Sequence, residues 1–153
     1  MRALRSLRLL ARNQRGAVMI ETAIVAPVLI MMSLGAFQVS QIVARQTELQ
    51  EAASEAAGIA LAAMPDTSAE RATLEGIIVA STGLTDAQVT VTEKFRCGTA
   101  TTYVDSASSC VSVKAANYLL IELDDTYTPI WANWGLGGNL NFNVNRYVLV
   151  KQT

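Results

Sequence analysis

A run of 23 residues without a charge, Thr22–Ala44, constrains this chain more than any other feature of its sequence. At 1.5 Å per residue, a helix of this length extends about 35 Å, and a bilayer core is about 30 Å thick. The run is therefore long enough to cross a membrane, and a lipid bilayer is the first predicted partner. Pro27 lies inside the run and removes one backbone hydrogen bond, so we expect a kink or local melting of the helix there.

The helical pattern continues beyond the apolar run. The next residues are rich in Ala, Glu, Gln and Leu, which are good helix formers, and no proline occurs before Pro65. This pattern predicts one helix over residues 17–64. Small and apolar residues recur in its second half at spacings of three and four: Leu49, Ala52, Ala53, Ala56, Ile59, Ala60 and Ala63. The second half is amphipathic, so we expect one of its faces to pack on a domain.

The charges of the chain are distributed asymmetrically. Five of its twelve basic residues precede Gly16, where no acidic residue occurs: Arg2, Arg5, Arg8, Arg12 and Arg15. Removing residues 1–16 would leave seven basic and thirteen acidic groups, a net charge of −6. Arginines directly before an apolar run mark the cytoplasmic side of a membrane segment. We favour this interpretation over nucleic-acid binding and predict no nucleic-acid partner.

The leader does not follow the pattern of a conventional secretory signal. Such a signal has an apolar stretch of about 7 to 15 residues followed by a small-residue cleavage site. Here the apolar stretch is much longer, and cleavage at the weak candidate site Ile42-Val43-Ala44 would remove the whole helix.

A more specific pattern lies on the N-terminal side of the apolar run. In RGAVMIET, Gly16 ends the basic leader and Glu21 is the fifth residue after it. This pattern resembles the prepilin-peptidase site of type IV pilins. The resemblance implies cleavage between Gly16 and Ala17, with Glu21 retained as a carboxylate inside the apolar helix.

Glu21 has a physical role in this interpretation. An ionised carboxylate in an apolar environment costs several kcal/mol unless it finds a partner. The new amine of Ala17 on one subunit would pair with Glu21 of a neighbour, which favours a packed bundle. The alternative is that Glu21 lies at the level of the lipid headgroups, where a single carboxylate costs little.

The segment RNQRGAVMIETAIVAPVLIMM resembles the start of TadE-like proteins, the minor pilins or pseudopilins of the tight-adherence (Tad or Flp) pilus. Glu21 and Pro27 match the family's spacing between glutamate and proline. Thr22 departs from the aromatic residue that often follows the glutamate, and the long C-terminal part departs from the short major Flp subunit.

The resemblance implies a structural role in pilus biogenesis, adhesion and biofilm formation. Its implied partners are a prepilin peptidase, other pilin or pseudopilin subunits and the inner-membrane assembly platform. Its implied location is the bacterial inner membrane, with a cytoplasmic N-terminus, a periplasmic C-terminal domain and a route into an extracellular pilus.

The remainder of the chain has the pattern of a small α+β domain. Thr67 or Ser68 caps a predicted helix that runs to about Ser81, with Gly83 as its stop signal. Alternation and composition predict strands over residues 87–95, 118–128 and 140–150. The core of three strands is small, so we expect an antiparallel sheet packed on the outer half of the long helix, a pilin-like fold. The predicted organisation is a leader (1–16), a long helix (17–64, membrane part about 22–44) and an exported domain (65–153).

The only two cysteines are Cys97 and Cys110, and the chain has no histidine. A zinc site lacks sufficient ligands nearby, and imidazole-dependent metal catalysis is excluded. We therefore predict no metal and no cofactor. In an exported domain, a disulfide between the two cysteines would close a 14-residue loop and contribute roughly 3 kcal/mol. Two free buried thiols are the alternative.

Nothing in the chain has the pattern of a catalytic site. Asp124 and Asp125 are adjacent, so on a strand they point to opposite faces and make a poor acid–base pair. Trp131 and Trp134 form either an adhesive or subunit-binding patch or a cover over the sheet. We predict a protein without enzymatic activity. The rival hypotheses are an unprocessed single-pass anchor that displays a periplasmic binding domain, and a sensor of an envelope ligand.

Overall fold

The computed structural model describes residues 14–135 and 137–152. Most of the predicted leader, including Arg2, Arg5, Arg8 and Arg12, lies outside the described residues. The described chain divides into two compact units between Gln41 and Ile42. We call residues 14–41 the stem and residues 42–152 the α+β unit.

The first helix, α1, spans Gln14–Ala63 and confirms the single long helix expected from the sequence. It runs through Pro27 without a break, so the expected local melting does not occur there, while the kink stays a prediction. The helix ends where Met64 adopts a positive φ of 46° and Pro65 follows. A residue before proline is disfavoured in the helical region, which accounts for the position of this end.

The second helix, α2, spans Ser68–Thr82, as the capping signals predict. The Thr67 side chain accepts a hydrogen bond from the Glu70 backbone N–H, and the Glu70 carboxylate accepts one from the Thr67 backbone N–H. This reciprocal arrangement is a capping box. Gly83 ends the helix in the left-handed conformation (φ 69°), which glycine adopts at low cost.

Three antiparallel strands follow in the order β1-β2-β3: β1 spans Val89–Cys97, β2 spans Ala115–Tyr127 and β3 spans Leu140–Gln152. All three were expected, with boundaries displaced by up to three residues. In the pairing of β1 with β2, Val91 lies opposite Ile121. The pairing of β2 with β3 is shifted by one residue at Asn117/Tyr118, which marks a bulge.

The core of the α+β unit lies between the second half of α1, α2 and the inner face of the sheet. Its buried members are Leu49, Ala53, Ala56, Ala57, Ala60, Leu74, Ile78, Leu84, Val89, Val91, Leu119, Ile121, Leu123, Phe142 and Val148. The alanine-rich face of α1 lets the sheet approach closely. Burial of a large apolar side chain such as Ile121 stabilises the fold by about 1.5 to 3 kcal/mol.

Two residues assigned to the buried face of α1 by their spacing are exposed. Ile59 is 38 % exposed and Ala63 is also exposed, whereas Ala57 is buried. At 100° per residue, Ile59 lies about 100° around the helix from the fully buried Ala60, whereas Ala57 lies about 60° from it, so Ile59 falls beside the buried face. Ala63 is the last residue of α1.

Contacts define two ends of the α+β unit. Arg45, near the start of the unit, contacts the Thr82 carbonyl at the end of α2 and the Asp125 carboxylate near the end of β2. Gln88, directly before β1, also donates to Asp125. We call this end the base. The α1–α2 turn at Pro65 and the loop between β1 and β2 lie at the opposite end, which we call the far end.

Candidate assembly helix and the base of the α+β unit

The stem presents apolar side chains on all sides. Thirteen large ones are between 45 % and 78 % exposed: Val18, Met19, Ile20, Ile24, Val25, Val28, Leu29, Ile30, Met31, Met32, Leu34, Phe37 and Val39. A contiguous apolar surface of this size marks contact with a membrane or with other proteins. Within the described residues, one helix, Val18–Ala63, is long and apolar enough to cross a membrane, judged by length and composition.

The predicted processing site lies in the first turns of this helix. Gly16 is the third residue of α1 and is exposed, and a Cβ built there would meet no other atom within 4 Å. Within the described residues, a side chain at this position would therefore meet no steric obstacle.

Two hydroxyl groups in the stem donate hydrogen bonds within the helix. Thr22 Oγ1 donates to the Val18 carbonyl at 2.8 Å, and Ser33 Oγ donates to the Leu29 carbonyl at 2.8 Å. In a bilayer core, where no water is available, polar groups need such internal partners. At both positions, the hydroxyl group therefore donates its hydrogen bond without needing a water molecule.

Glu21 is the exception in this apolar surface. Its side chain is exposed, and no hydrogen bond or ion pair of its carboxylate lies within the described part of the chain. Ala17 is four residues earlier, so the two positions share one face of the helix. A carboxylate surrounded by apolar surface needs a cationic or hydrogen-bonding partner once that surface is covered.

The base of the α+β unit contains an ion-pair network that our interpretation of the sequence missed. Arg45 Nε donates to Asp125 Oδ2 at 2.6 Å, and Arg45 Nη1 donates to Glu48 Oε2 at 2.9 Å. Gln88 Nε2 donates to the other oxygen of Asp125 at 3.2 Å. Arg45 stands out in the sequence as the first charged residue after the apolar run, but its partner Asp125 lies 80 positions away.

The two adjacent aspartates have separate partners. Asp125 pairs with Arg45 of α1, whereas Asp124 accepts a hydrogen bond from Asn143 of the neighbouring strand. Their positions on opposite faces of β2 follow from the alternation of side chains along a strand.

At the far end, Cys97 and Cys110 form a disulfide, with their Cα atoms 5.1 Å apart. The structure therefore contains the predicted bond and not two free thiols. The closed loop folds over the outer face of the sheet. Tyr103 from this loop stacks on Tyr147 of β3, with ring centroids 4.1 Å apart, and meets Tyr118 of β2 edge-on at 5.1 Å.

Other contacts hold the same loop to the sheet. Lys94 of β1 pairs with Asp105, and this hydrogen bond raises the pKa of the Lys94 ammonium. Arg96 lies over the Tyr118 ring, with Cζ 5.1 Å from its centroid. The loop and sheet thereby form a small second cluster on the face opposite α1.

A polar groove lies between α2 and β1. Three of its charged residues have partners inside the unit: Arg71 lies 3.8 Å from Glu93, and Glu75 accepts a hydrogen bond from the Val91 backbone N–H at 2.8 Å. Among the described residues, no group of three or more His, Cys, Asp or Glu side chains is arranged to hold a metal ion. Glu75 of α2 binds a backbone N–H of the edge strand β1, so this groove stabilises the fold and covers part of that edge.

The two tryptophans lie in the loop between β2 and β3. Trp131 is half-buried, and its indole nitrogen lies beside Gly137, where a Cβ would approach it to 3.7 Å. The side chain of Trp134 lies outside the described atoms. The sequence offered two roles for this side chain, an exposed binding patch or a cover over the sheet. Half-burial of Trp131 agrees fully with neither.

The decisive comparison concerns the helix. Residues 16–58 match the family model of TadE-like proteins. The helix is similar to that of TadE-like proteins. The match confirms the resemblance proposed from the sequence, and it includes Gly16, Ala17, Glu21 and Pro27. No curated protein and no solved structure gives a significant match to the chain.

The TadE-like match covers part of the chain. It ends at Gly58, within α1, and the sheet lies outside it. The three-stranded sheet with its disulfide loop is established by the structure alone.

Proposed function

We propose that this chain is a minor pilin or pseudopilin of the Tad pilus, cut between Gly16 and Ala17 by a prepilin peptidase. The single observation that carries the proposal is the TadE-like match over a helix whose apolar surface is exposed on all sides. Such a helix first lies in the inner membrane and then packs against the helices of other subunits. Its role is in pilus biogenesis, adhesion and biofilm formation.

The charges support one orientation. The arginines before Gly16 remain on the cytoplasmic side, where basic residues next to a membrane segment are enriched. The α+β unit then lies in the periplasm, an oxidising compartment in which the Cys97–Cys110 disulfide persists. The peptidase and the assembly platform are partners on the cytoplasmic and membrane side.

Glu21 is the assembly carboxylate in this proposal. In the free subunit its charge lies beside apolar side chains, and cleavage creates the Ala17 amine with which a neighbouring Glu21 pairs. Pairing removes an unfavourable charge from each helix only when subunits pack together. Subunit association and processing are thereby linked.

The first test is the intact mass of membrane-extracted protein from cells with and without the cognate prepilin peptidase. We expect a chain that begins at Ala17 when the peptidase is present, and an uncut chain from Gly16→Ala. Gly35→Ala is the matched control, because a Cβ at either glycine meets nothing within 4 Å. An uncut chain in every case contradicts the proposal and supports an unprocessed single-pass anchor for a periplasmic binding domain.

A second variant separates processing from assembly. We expect Glu21→Gln to be cut normally but to lose subunit cross-links and incorporation into fibres. Glu55→Gln is its control, because Glu55 is an exposed glutamate of the same helix outside the apolar run. Equal assembly of both variants would remove the role assigned to Glu21.

A further inference from the structure

The two edges of the sheet differ in how their backbone groups are used. In the order β1-β2-β3, one edge belongs to β1 and the other to β3. On β1, the Val91 N–H donates to the Glu75 carboxylate at 2.8 Å. The Phe95 N–H and carbonyl both bond to the backbone of Val104, at 2.7 and 2.8 Å. The edge of β1 is therefore occupied at two points.

The edge of β3 has no such cover within residues 14–135 and 137–152. No backbone hydrogen bond in this part of the chain joins β3 to any segment other than β2. The strand is long, since it spans Leu140–Gln152. A row of unpaired N–H and carbonyl groups on an edge strand is a template for pairing with another strand. We call this unpaired side of β3 the free edge.

The register of the sheet identifies which backbone groups face the free edge. In an antiparallel pair, successive residues bond alternately to the partner strand and away from it. Phe95 bonds away from β2, and so does Val91, four residues earlier. Their partners on β2 therefore bond to β3, and one of them, Ile121, lies opposite Arg146. Arg146 thus bonds to β2, and the backbone groups of alternate residues face the free edge: Asn141, Asn143, Asn145 and Tyr147.

The strand β3 carries positive charge that the unit leaves uncompensated. Its charged residues are Arg146 and Lys151, and both side chains are exposed. Neither forms an ion pair with another described residue. The surrounding unit is acidic, with seven basic and twelve acidic residues in 42–152. Opposite charges on neighbouring strands stabilise their pairing, so carboxylates on an added strand would favour its binding to β3.

Arg146 is positioned to select such a strand. It lies on the inner face of the sheet, opposite the fully buried Ile121, but its own side chain is exposed. Because its backbone bonds to β2, Arg146 would form a non-hydrogen-bonded pair with an antiparallel strand at the free edge. The side chains are closest in this type of pair, with Cα atoms about 4.5 Å apart. A carboxylate on the opposing residue would then lie within reach of the guanidinium.

We propose that the free edge of β3 binds an extended, acidic segment of another protein, which adds to the sheet as an antiparallel strand. Backbone hydrogen bonds supply the binding in this mode, and side chains supply the selectivity. A second copy of this chain is a poor occupant. Its β3 carries the same positive charges, and the edge of its β1 is occupied at Val91 and Phe95. The contact lies wholly in the α+β unit, so it does not depend on processing or on the apolar helix.

Hydrogen–deuterium exchange at single-residue resolution tests this proposal in the full chain, held at low concentration in detergent micelles. The probe is a short peptide that alternates valine with glutamate, and its control carries lysine in place of glutamate. Without peptide, the Val144 and Arg146 amides should exchange slowly and the Asn143 and Asn145 amides fast. The saturating glutamate peptide should slow exchange at Asn143 and Asn145 by about tenfold. The acidic unit as a whole attracts the lysine peptide, so a preference for glutamate must come from groups near the free edge.

Two variants separate the backbone contact from the charge contact. Asn145→Pro removes an N–H that faces the free edge, so the sheet should be retained while the peptide no longer adds to it. Asn145→Thr keeps this N–H and is the matched control. Arg146→Glu should reverse the preference, so that the lysine peptide gives the larger slowing. Slow exchange at Val144 verifies that the sheet is intact, and if Asn145→Pro loses it, Arg146→Glu alone decides.

Four results would overturn the proposal. Slow exchange at Asn143 and Asn145 without peptide, at every protein concentration, would show that the chain covers this edge itself. Slowing that rises with protein concentration would show that a second copy occupies the edge. Equal effects of the two peptides, or no effect of either, would remove the acidic partner. Undiminished slowing in an intact Asn145→Pro sheet would exclude strand addition.

Discussion

In the stem, large apolar side chains face outward on every side of α1, whereas in the α+β unit the same helix buries only a stripe of alanines and Leu49. The difference is one of solvent. A helix that is apolar all round suits lipid or a bundle of like helices, and an amphipathic one suits a boundary between a core and water. One continuous helix can therefore serve two environments if its hydrophobic pattern changes along its length.

The largest effect expected from this comparison is in the core of the α+β unit. Ile121 is fully buried, so Ile121→Ala should lower the free energy of unfolding of the unit by about 2 to 5 kcal/mol. Ile24→Ala in the stem removes the same atoms from a side chain that is 66 % exposed, and we expect it to leave this value unchanged. Urea unfolding of the full chain in detergent, followed by tryptophan fluorescence, measures the α+β unit because both tryptophans lie there. Similar losses in both variants would show that the two regions unfold as one.

A somewhat smaller effect should distinguish two exposed positions of the same helix. Met31→Lys places a charge in the centre of the apolar run, where lysine costs about 2.5 to 3.5 kcal/mol in membrane insertion. Leu61→Lys changes a side chain that is also more than half exposed, but in the α+β unit, and should alter stability by at most about 0.5 kcal/mol. The fraction of chain retained in carbonate-washed membranes compares the two. Equal retention of the two variants in the membrane would contradict the assignment of the stem to lipid and of the α+β unit to water.

The smallest effect concerns the capping box of α2, which has no counterpart in the stem. The backbone hydrogen bond from Thr67 lowers the pKa of the Glu70 carboxyl from its ordinary value of 4.5. A lowered folded-state pKa stabilises the fold above the ordinary value, and this stabilisation is lost as the pH falls through the folded-state pKa. We expect the difference in stability between the native chain and Glu70→Gln to shrink below about pH 4.5.

The cap itself can be tested by the same titration. Thr67→Ala should lower the free energy of unfolding by about 1 kcal/mol at neutral pH. In the Thr67→Ala background, the loss of stability at acidic pH that we attribute to Glu70 should become smaller. Urea unfolding at a series of pH values provides both readouts. If the unfolding free energy of Thr67→Ala falls with pH as much as that of the native chain, Glu70 is stabilised by groups other than Thr67.

Much of the fold follows from local signals in the sequence. The length of α1, the cap at Thr67 and the stop at Gly83 all depend on residues that are neighbours in the chain. The three strands were predictable for the same reason, because alternation is a local pattern. Their register was not, since it depends on which apolar residues meet across β1, β2 and β3.

The candidate site also has a part that the sequence predicted and a part that it did not. Gly16, Ala17, Glu21 and Pro27 form a pattern within twelve residues, and the TadE-like match confirms the family resemblance that this pattern predicted. Cleavage after Gly16 and pairing of Glu21 stay predictions. The Arg45–Asp125 ion pair joins residues 80 positions apart, so no short pattern could reveal it.

The sequence by itself determined the apolar helix, its change from all-round to one-sided hydrophobicity and the family to which that helix is similar, because each depends on the order and spacing of neighbouring residues. Tertiary structure alone decided which residues of α1 meet the core, that Cys97 and Cys110 are bonded, and that Arg45 pairs with Asp125 near the end of β2. Those contacts join residues far apart in the chain, and the packing of helix and sheet brings them together.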